Sequence, residues 1–572
     1  MASLKFNVIA LLILISSVAN AQKLTSSSES GETDFWLSVT RALDPSALSV
    51  QDIFTSVPSS QNYKDISPEC DPKFFEDSVL AKKKNTPEYF KALKEYFSEC
   101  QLELSQRSPK GALSLARMAL DEYYFLQHPQ VKKFVITLNN GTKVPAIMAL
   151  KQDPTPRPLV ILKCGVFCGA TQSPMMKNYL IQLFDQAPFN VVLLANQTGM
   201  DYLYANSSLS LGGWGEGFES LQVGKWLREK WEYRERISSV HLMGMSLGGN
   251  AAVFGASYND LYPMEDGKKV FSSVVAICPV MTLKPTLEVL YNDNTVGTVF
   301  TEMTKSQFRG ARDHLTDIPD LLTDDKFPKK SGMPDYLGSL ASTSLQRRGI
   351  ASTPASYFKN NNFWNLTHRI ETPMLVWASK DDIVVSNKLN AQVMEKDEYY
   401  QNAPNVAVLN LNYGSHCAFS SAYGYQAASV VLRTFVLAHS PEFVDHYKRV
   451  EVPWTFGFSK LNSIFVHVGQ TWKFEAKSDK AKVTFRIFNW RATDACFVEG
   501  PWGETGKCVN ERSYDIPIAS LKVFGGRIPR NEVEAQVLTR EFNSKVEFLS
   551  KGQPLNGTSN SEFVMSARNL WE

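Results

Sequence analysis

Beyond residue 21, this 572-residue chain has no apolar stretch long enough to cross a bilayer, so no transmembrane segment is expected there. It also has almost no charge imbalance. The 60 Lys and Arg against 58 Asp and Glu leave a formal net charge of +2. Nucleic acids and anionic membranes require a basic patch, and this balance gives no support for either partner. There is no C-x-x-C pair and no H-E-x-x-H helix, so no zinc site is expected, and no other metal or cofactor is implied. Internal repeats are missing too. What remains is an ordinary globular composition, 44% apolar and 21% charged. The chain is too long for one core, so two or three domains are expected.

The first residues read MASLKFNVIALLILISSVANAQ. Lys5 is the positive n-region, an apolar stretch follows, and Ala19-Asn20-Ala21 fits a small-x-small cleavage site. The expectation is a signal peptide over 1–21 and an exported protein, periplasmic or secreted, whose mature chain starts near Gln22. Export permits disulfides. Cys496 and Cys508 flank a Gly/Pro-rich turn and are the foremost candidate pair, with Cys70–Cys100 a second. Cys164 and Cys168 are close enough to pair across a short loop. Asn140, Asn196, Asn206, Asn365 and Asn556 begin N-x-Ser/Thr sequons. Asn196 follows a sheet strand, where a glycan would crowd the site developed below, and this tilts the reading towards a bacterial setting.

Residues 22–45 are polar and Ser-rich and read as a flexible leader. Residues 46–130 read as a helical N-terminal segment, from stretches such as PEYFKALKEYF and GALSLARMALDEYYFL. At about 131 the period changes. KKFVITL and KVPAIMALK bracket the hairpin signal NNGT, and buried-type apolar runs follow: RPLVILKCG, FNVVLLANQTG, SSVHLMGMS, FSSVVAICPV, TPMLVWASKDD and VAVLNLNYGSH. Helical stretches lie between them. Apolar strands alternating with helices predict an α/β domain over 131–450, a mostly parallel sheet covered on both faces. The helical stretch from about 285 to 365 interrupts the alternation and reads as a cap insertion. Residues 451–572 alternate apolar and polar (SIFVHV, TWKFEAK, KVTFRIFNW) and predict a smaller β-rich domain.

Gly244-Met245-Ser246-Leu247-Gly248 fits G-x-S-x-G, with a strand before it and a small-residue helix after it. A serine on such a turn stands proud of the sheet, and the helix N-terminus favours developing negative charge. A hydroxyl needs a base, and in this architecture an acid and then a histidine follow the serine. Four histidines follow Asp382, and His416 alone sits just past an apolar strand, in LNLNYGSHCAF. His439 and His446 lie on or beside a helical stretch and read as surface residues. His467 lies in a strand of the C-terminal domain. For the acid, Asp381 and Asp382 both follow MLVWASK. Counting from the strand end favours Asp381, while the Ile-Val-Val continuation suits Asp382 equally well. The oxyanion donors are the backbone N–H groups of Leu247 and, in the loop LVILKCGVFCG, of Val166.

Together these residues resemble the α/β-hydrolase superfamily and, within it, the YheT-like esterase group. PLVILKCGVFCGATQSP is similar to that group's strand and oxyanion loop, SVHLMGMSLGGNAAV to its elbow, ASYFKNNNFWNLTHRIETPMLVWASKDD to its cap exit and acid strand, and NYGSHCAF to its histidine motif. The resemblance covers about residues 130–440. Cys164-Gly165 replaces the group's usual His-Gly, and Cys417 directly follows the histidine.

The function expected is hydrolysis of an ester, carboxylesterase- or lipase-like, through an acyl-enzyme, with a small-molecule or lipid-like substrate. YFKNNNFW and LEVLY in the cap offer aromatic and apolar surface for an acyl pocket. The triad does not separate ester from amide chemistry, so a peptidase or amidase is an alternative. A third reading is a catalytically silent hydrolase fold that binds a surface or polymer through the aromatics of FNW, PWG and LWE in the C-terminal domain.

Overall fold

In a computed structural model, residues 66–443 are described with short interruptions, together with strand segments at Glu122–Tyr123 and between Phe456 and Val564. The described residues form two compact units, one drawn from 58–118 and 130–449, the other from 119–129 and 450–572. The expected signal peptide, the leader, the SIFVHV strand, Cys496, Cys508, His446, His467, Asn556 and the FNW, PWG and LWE aromatics lie outside the described residues.

The apolar runs of the first unit become one eight-stranded sheet. Its strands are β1 (Val131–Thr137), β2 (Lys143–Ala149), β3 (Arg157–Lys163), β4 (Asn190–Leu194), β5 (Ile237–Met245), β6 (Ser273–Ile277), β7 (Met374–Ser379) and β8 (Val406–Leu411). Their spatial order is β1-β2-β4-β3-β5-β6-β7-β8. β2 runs antiparallel to both its neighbours, and the remaining pairings are parallel. Every residue of β3, β4, β6 and β7 is buried. Such continuous apolar strands are stable only with both faces covered, which helices between the strands provide. This is the mostly parallel α/β sheet, covered on both faces, that the alternation predicted.

The chain leaves β3 towards β4 on one side and returns to β5 on the other. The loops after β3 and β5 therefore meet at a switch point, where α/β sheets open a crevice at the carboxyl ends of the strands. Flanking this point, α3 (Pro174–Phe184) follows β3, and α4 (Met200–Asn206) and α5 (Gly213–Glu229) follow β4. α6 (Leu247–Leu261) starts directly from β5. Between β6 and β7 stand α7 (Leu283–Asn292), α8 (Val296–Ala311), α9 (Met333–Arg347) and α10 (Pro354–Asn360), where the cap was expected. α10 starts with a capping box between Thr353 and Ser356.

The N-terminal helices α1 (Pro72–Ala81) and α2 (Thr86–Ser105) belong to this unit. In α2, Tyr89, Phe90, Leu93, Phe97, Cys100 and Leu104 are buried, the three-to-four spacing of one helix face. That face meets the last helix, α11 (Tyr425–Ala438): the Tyr89 hydroxyl lies 3.0 Å from Thr434 Oγ1, and Phe90 stacks on Phe435. Cys70 and Cys100 are paired and join the start of this segment to α2. Glu122–Tyr123 fall in the stretch that reads as helical, but they pair antiparallel with Phe456–Gly457 of the second unit. A partner more than 300 positions away in the chain is invisible to a local helical period. Among the described residues, no helix is long and apolar enough to cross a membrane.

The second unit contains a sheet of β9 (Thr471–Lys477), β10 (Lys480–Ile487), β11 (Asn510–Pro517), β12 (Phe548–Ser550), β13 (Gln553–Pro554) and β14 (Phe563–Val564). The order is β11-β10-β9-β12-β13 with β14 on β9, and β9-β12 is its parallel pairing. The period-two pattern of TWKFEAK and KVTFRI thus forms a hairpin.

Candidate active site

Ser246 occupies the junction of β5 and α6 with φ 59° and ψ −119°, a left-handed conformation that side chains rarely adopt. Such strain persists only when the surroundings over-determine it. They do so here. The Ser246 N–H donates to the Ile277 carbonyl on β6 at 2.9 Å, and its carbonyl accepts from Asn250 N at 3.0 Å. A Cβ on Gly244 would overlap the Gly248 carbonyl, and one on Gly248 would overlap the carbonyls of Lys163 and Cys164. The two glycines of the motif are thus the places where strand, helix and neighbouring loop touch backbone to backbone. Ser246 is 6% exposed.

His416 lies in the turn after β8. Gly414, Ser415 and Cys417 all have positive φ, at 139°, 45° and 59°. The turn is clamped by Ala418 N donating to the Gly414 carbonyl at 2.8 Å and by the Tyr179 hydroxyl donating to the Cys417 carbonyl at 2.8 Å. His416 Nδ1 sits 2.9 Å from Asp382 Oδ2 and 3.2 Å from Oδ1. Asp382 Oδ1 also accepts from Val384 N and Val385 N, both at 2.8 Å. The imidazole therefore meets a carboxylate that a backbone turn already holds in place.

The carboxylate on the histidine is that of Asp382, and counting from the strand end pointed to the other one. Asp381 turns to backbone donors instead, Ser415 N at 2.7 Å and Gly111 N at 3.0 Å. Burial raises its pKa above the ordinary carboxylate value, and these hydrogen bonds offset part of that rise. The Ile-Val-Val continuation carried the useful signal, since the amides of Val384 and Val385 are the ones that fix Asp382.

The loop after β3 runs against the serine: a Cβ on Gly165 would stand 3.2 Å from Ser246 Cβ. Val166 is half-buried beside it. Leu247 is the first residue of α6, so its N–H is one of the donors a helix leaves without an internal acceptor. Cys164 and Cys168 are paired across this loop, with Cα atoms 5.7 Å apart.

A third disulfide, Cys278–Cys417, was not anticipated; its Cα atoms are 5.6 Å apart. Its partners stand 139 positions apart, and local spacing carries no sign of them. Among the described residues, one close group of potential metal ligands exists, Cys278, His416 and Cys417. Both of its sulfurs are in the disulfide, so no thiolate is on hand for an ion.

Other expected residues fall elsewhere. His439 is not a free surface residue. It is half-buried at the end of α11, with Nε2 3.0 Å from Thr86 Oγ1 and Nδ1 2.8 Å from the Phe435 carbonyl, and burial lowers its pKa. Asn196 is fully buried and hydrogen-bonded within the fold, which excludes a glycan there, whereas Asn140 and Asn365 are exposed. In the cap, Tyr357 is buried and its hydroxyl bonds both the N–H and the carbonyl of Leu211, a packing role.

Sequence reading also passed over a buried ionic cluster under the loop after β3. Lys163 at the end of β3 pairs with Glu216 at 3.0 Å and Glu219 at 2.7 Å, all with side chains at most 4% exposed. A lysine directly after the apolar run of residues 158–162 was the signal for it.

No protein-family model matches the chain, and no curated protein does. Solved structures do match at low identity. An esterase of Pyrococcus furiosus is 17% identical, covering 54% of this chain and 91% of its own, with a TM-score of 0.34. An esterase of Pyrobaculum calidifontis is 14% identical, covering 68% and 98%, with a TM-score of 0.34. Oligopeptidase B of Leishmania major is 13% identical, covering 54% and 36%, with a TM-score of 0.32.

Proposed function

We propose that this chain is an exported serine hydrolase acting on carboxylic esters, with Ser246 as nucleophile, His416 as base and Asp382 as the acid that orients it. The observation that carries this reading is the strained Ser246 on its strand-to-helix turn, at the same sheet edge as an imidazole already seated on a buried carboxylate. Neither feature has a packing purpose that an ordinary junction would need.

The chemistry follows from the residues. Ser246 Oγ attacks the ester carbonyl carbon while its proton passes to His416 Nε2. The resulting oxyanion lies against the N–H groups of Leu247 and Val166. The carbon–oxygen bond to the leaving alcohol then breaks, and His416 returns the proton to that alcohol. Water repeats the sequence on the acyl-enzyme and releases the acid. Asp382 holds the tautomer with its proton on Nδ1 and stabilises the imidazolium. No step requires a metal or a cofactor. The four motifs that resemble the YheT-like esterases support the same reading. Export is proposed from the Lys5, apolar and Ala19-Asn20-Ala21 pattern, and disulfides suit an oxidising compartment.

The test is fluorophosphonate labelling of the wild type and of Ser246→Ala, with turnover of p-nitrophenyl esters of increasing chain length. Labelling and turnover that vanish in the variant support the proposal. Amide hydrolysis at rates comparable to esters redirects it to a peptidase, and a folded wild type that neither labels nor turns over ester overturns it.

A further inference from the structure

Lys163, Glu216 and Glu219 form a cluster of three charged side chains with essentially no exposure. Such clusters are rarely a net gain in stability over apolar residues of the same volume, because each charge must be stripped of its water. Every hydrogen of the Lys163 ammonium is used, on Glu219 Oε1 at 2.7 Å, Glu216 Oε2 at 3.0 Å and the Ala195 carbonyl at 2.8 Å. Burial alone would lower its pKa, but the two carboxylates outweigh burial and raise it. Burial pushes Glu216 up to about 7 even beside Lys163.

The cluster's bonds run outward to the loop beside Ser246. The Asn196 amide donates to Glu216 at 2.9 and 3.0 Å and to the Cys164 carbonyl at 3.1 Å. Its Oδ1 accepts from Thr198 N at 2.9 Å and from the Thr198 hydroxyl at 2.5 Å. That hydroxyl accepts in turn from Phe167 N at 2.7 Å. Asn196 N closes the far side on the Cys168 carbonyl at 2.9 Å. The peptide units on either side of the Gly165–Val166 bond, through the Cys164 carbonyl and the Phe167 N–H, are thus both held by one Asn–Thr pair.

We propose that Asn196 and Thr198, anchored by the Lys163–Glu216–Glu219 cluster, are positioning residues that aim the Val166 N–H at the oxyanion; this rests on the hydrolase reading above. Neither touches substrate. Thr198 hands its own aim to the loop through a single hydroxyl that both donates and accepts. The cap is fastened to the same residue, since Gln307 Nε2 of α8 donates to the Thr198 carbonyl at 2.7 Å.

The variant that isolates this is Thr198→Val, which keeps the shape and removes the hydroxyl, beside Thr198→Ser, which keeps it. Turnover of p-nitrophenyl butyrate, affinity for a trifluoromethyl ketone that forms a tetrahedral oxyanion, and thermal unfolding are measured on the full chain. In Thr198→Val, kcat falls about ten- to hundred-fold with KM within about twofold, and ketone affinity falls by the same factor, as for supports one shell removed from the chemistry. Thr198→Ser restores both, and the pH profile of turnover does not move. Should Thr198→Val not fold, Thr198→Ala, which only removes atoms, takes its place. A folded variant with wild-type kcat and ketone affinity overturns the inference and leaves the hydrolase reading standing. A wild type that neither labels nor turns over ester overturns both.

Discussion

Cys417, the residue after His416, is bonded to Cys278, the residue after Ile277. Ile277 is the residue whose carbonyl holds the Ser246 amide. One covalent bond therefore joins the turn that carries the proposed base to the strand that supports the proposed nucleophile. Their separation is not left to the packing of two loops alone.

Removing both cysteines, as Cys278→Ala with Cys417→Ala, should cost stability and alignment together. A loop of 139 residues is released, for which about 2–5 kcal/mol is expected. Because the histidine turn holds three residues at positive φ, it relaxes once the bond is gone. Fluorophosphonate labelling should slow about tenfold or more, since small displacements of reacting groups are costly. Denaturant unfolding and labelling rates check the two effects separately. A variant that loses stability but labels at the wild-type rate would show that the bond does not align the site.

Asp382→Asn should lower kcat by about 10³- to 10⁴-fold with little loss of stability, because the amide presents the wrong partner to Nδ1. Asp381→Asn should lower it by less than about tenfold, since the one amide oxygen still accepts from Ser415 N of the histidine turn and the amide nitrogen gives up only the bond from Gly111 N, away from the imidazole. Steady-state kinetics on the two variants decide between them. The reverse order of effects would return the acid's role to Asp381.

Alanine at Gly248 should abolish soluble expression or cost about 3 kcal/mol or more, because the new methyl meets backbone that has no room to yield. Gly267→Ala is the control for left-handed backbone strain without a clash, as its φ is 77° and nothing stands within 4 Å of its Cβ position. Thermal unfolding of both proteins gives the comparison.

His241 on β5 is buried between the hydroxyls of Ser239 and Ser273, each 2.8 Å from a ring nitrogen. Burial, and then the neighbouring His439 and Arg228, lower its pKa from 6.5 to about 3. The folded state thus holds a neutral ring where the unfolded chain binds a proton. The sign follows: its contribution is fully present above pH 6.5 and is lost as pH falls towards 3. His241→Gln should flatten the acid side of the stability curve in that window, whatever it costs at neutral pH. Chemical denaturation of both proteins from pH 7.5 to 4 measures the slope, and an unchanged slope would contradict the assignment.

Much of the first unit is legible one residue at a time. RPLVILK and MLVWAS have no polar face, so they read as strands covered on both sides, and β3 and β7 are buried throughout. The elbow is equally local, because the steric demand on Gly244 and Gly248 is set by the turn they flank. The place of His416 just past a strand is legible as well, and the structure sets it in the turn after β8. Asp381 and Asp382 are adjacent and alike, and sequence spacing has no means to separate them.

What separates them is tertiary. The amides of Val384 and Val385 fold back on one carboxylate, the histidine turn arrives from β8, and the other carboxylate is taken by Ser415 and Gly111. The same holds for Cys278 with Cys417 and for Lys163 with Glu216 and Glu219. Hydrophobic periodicity and turn chemistry act between near neighbours along the chain, so the sequence by itself determined the strands, the alternation and the elbow. Charge pairing and disulfides act between neighbours in space, so only the assembled tertiary structure decided which acid meets the histidine, which cysteines meet, and what lies beneath the loop beside Ser246.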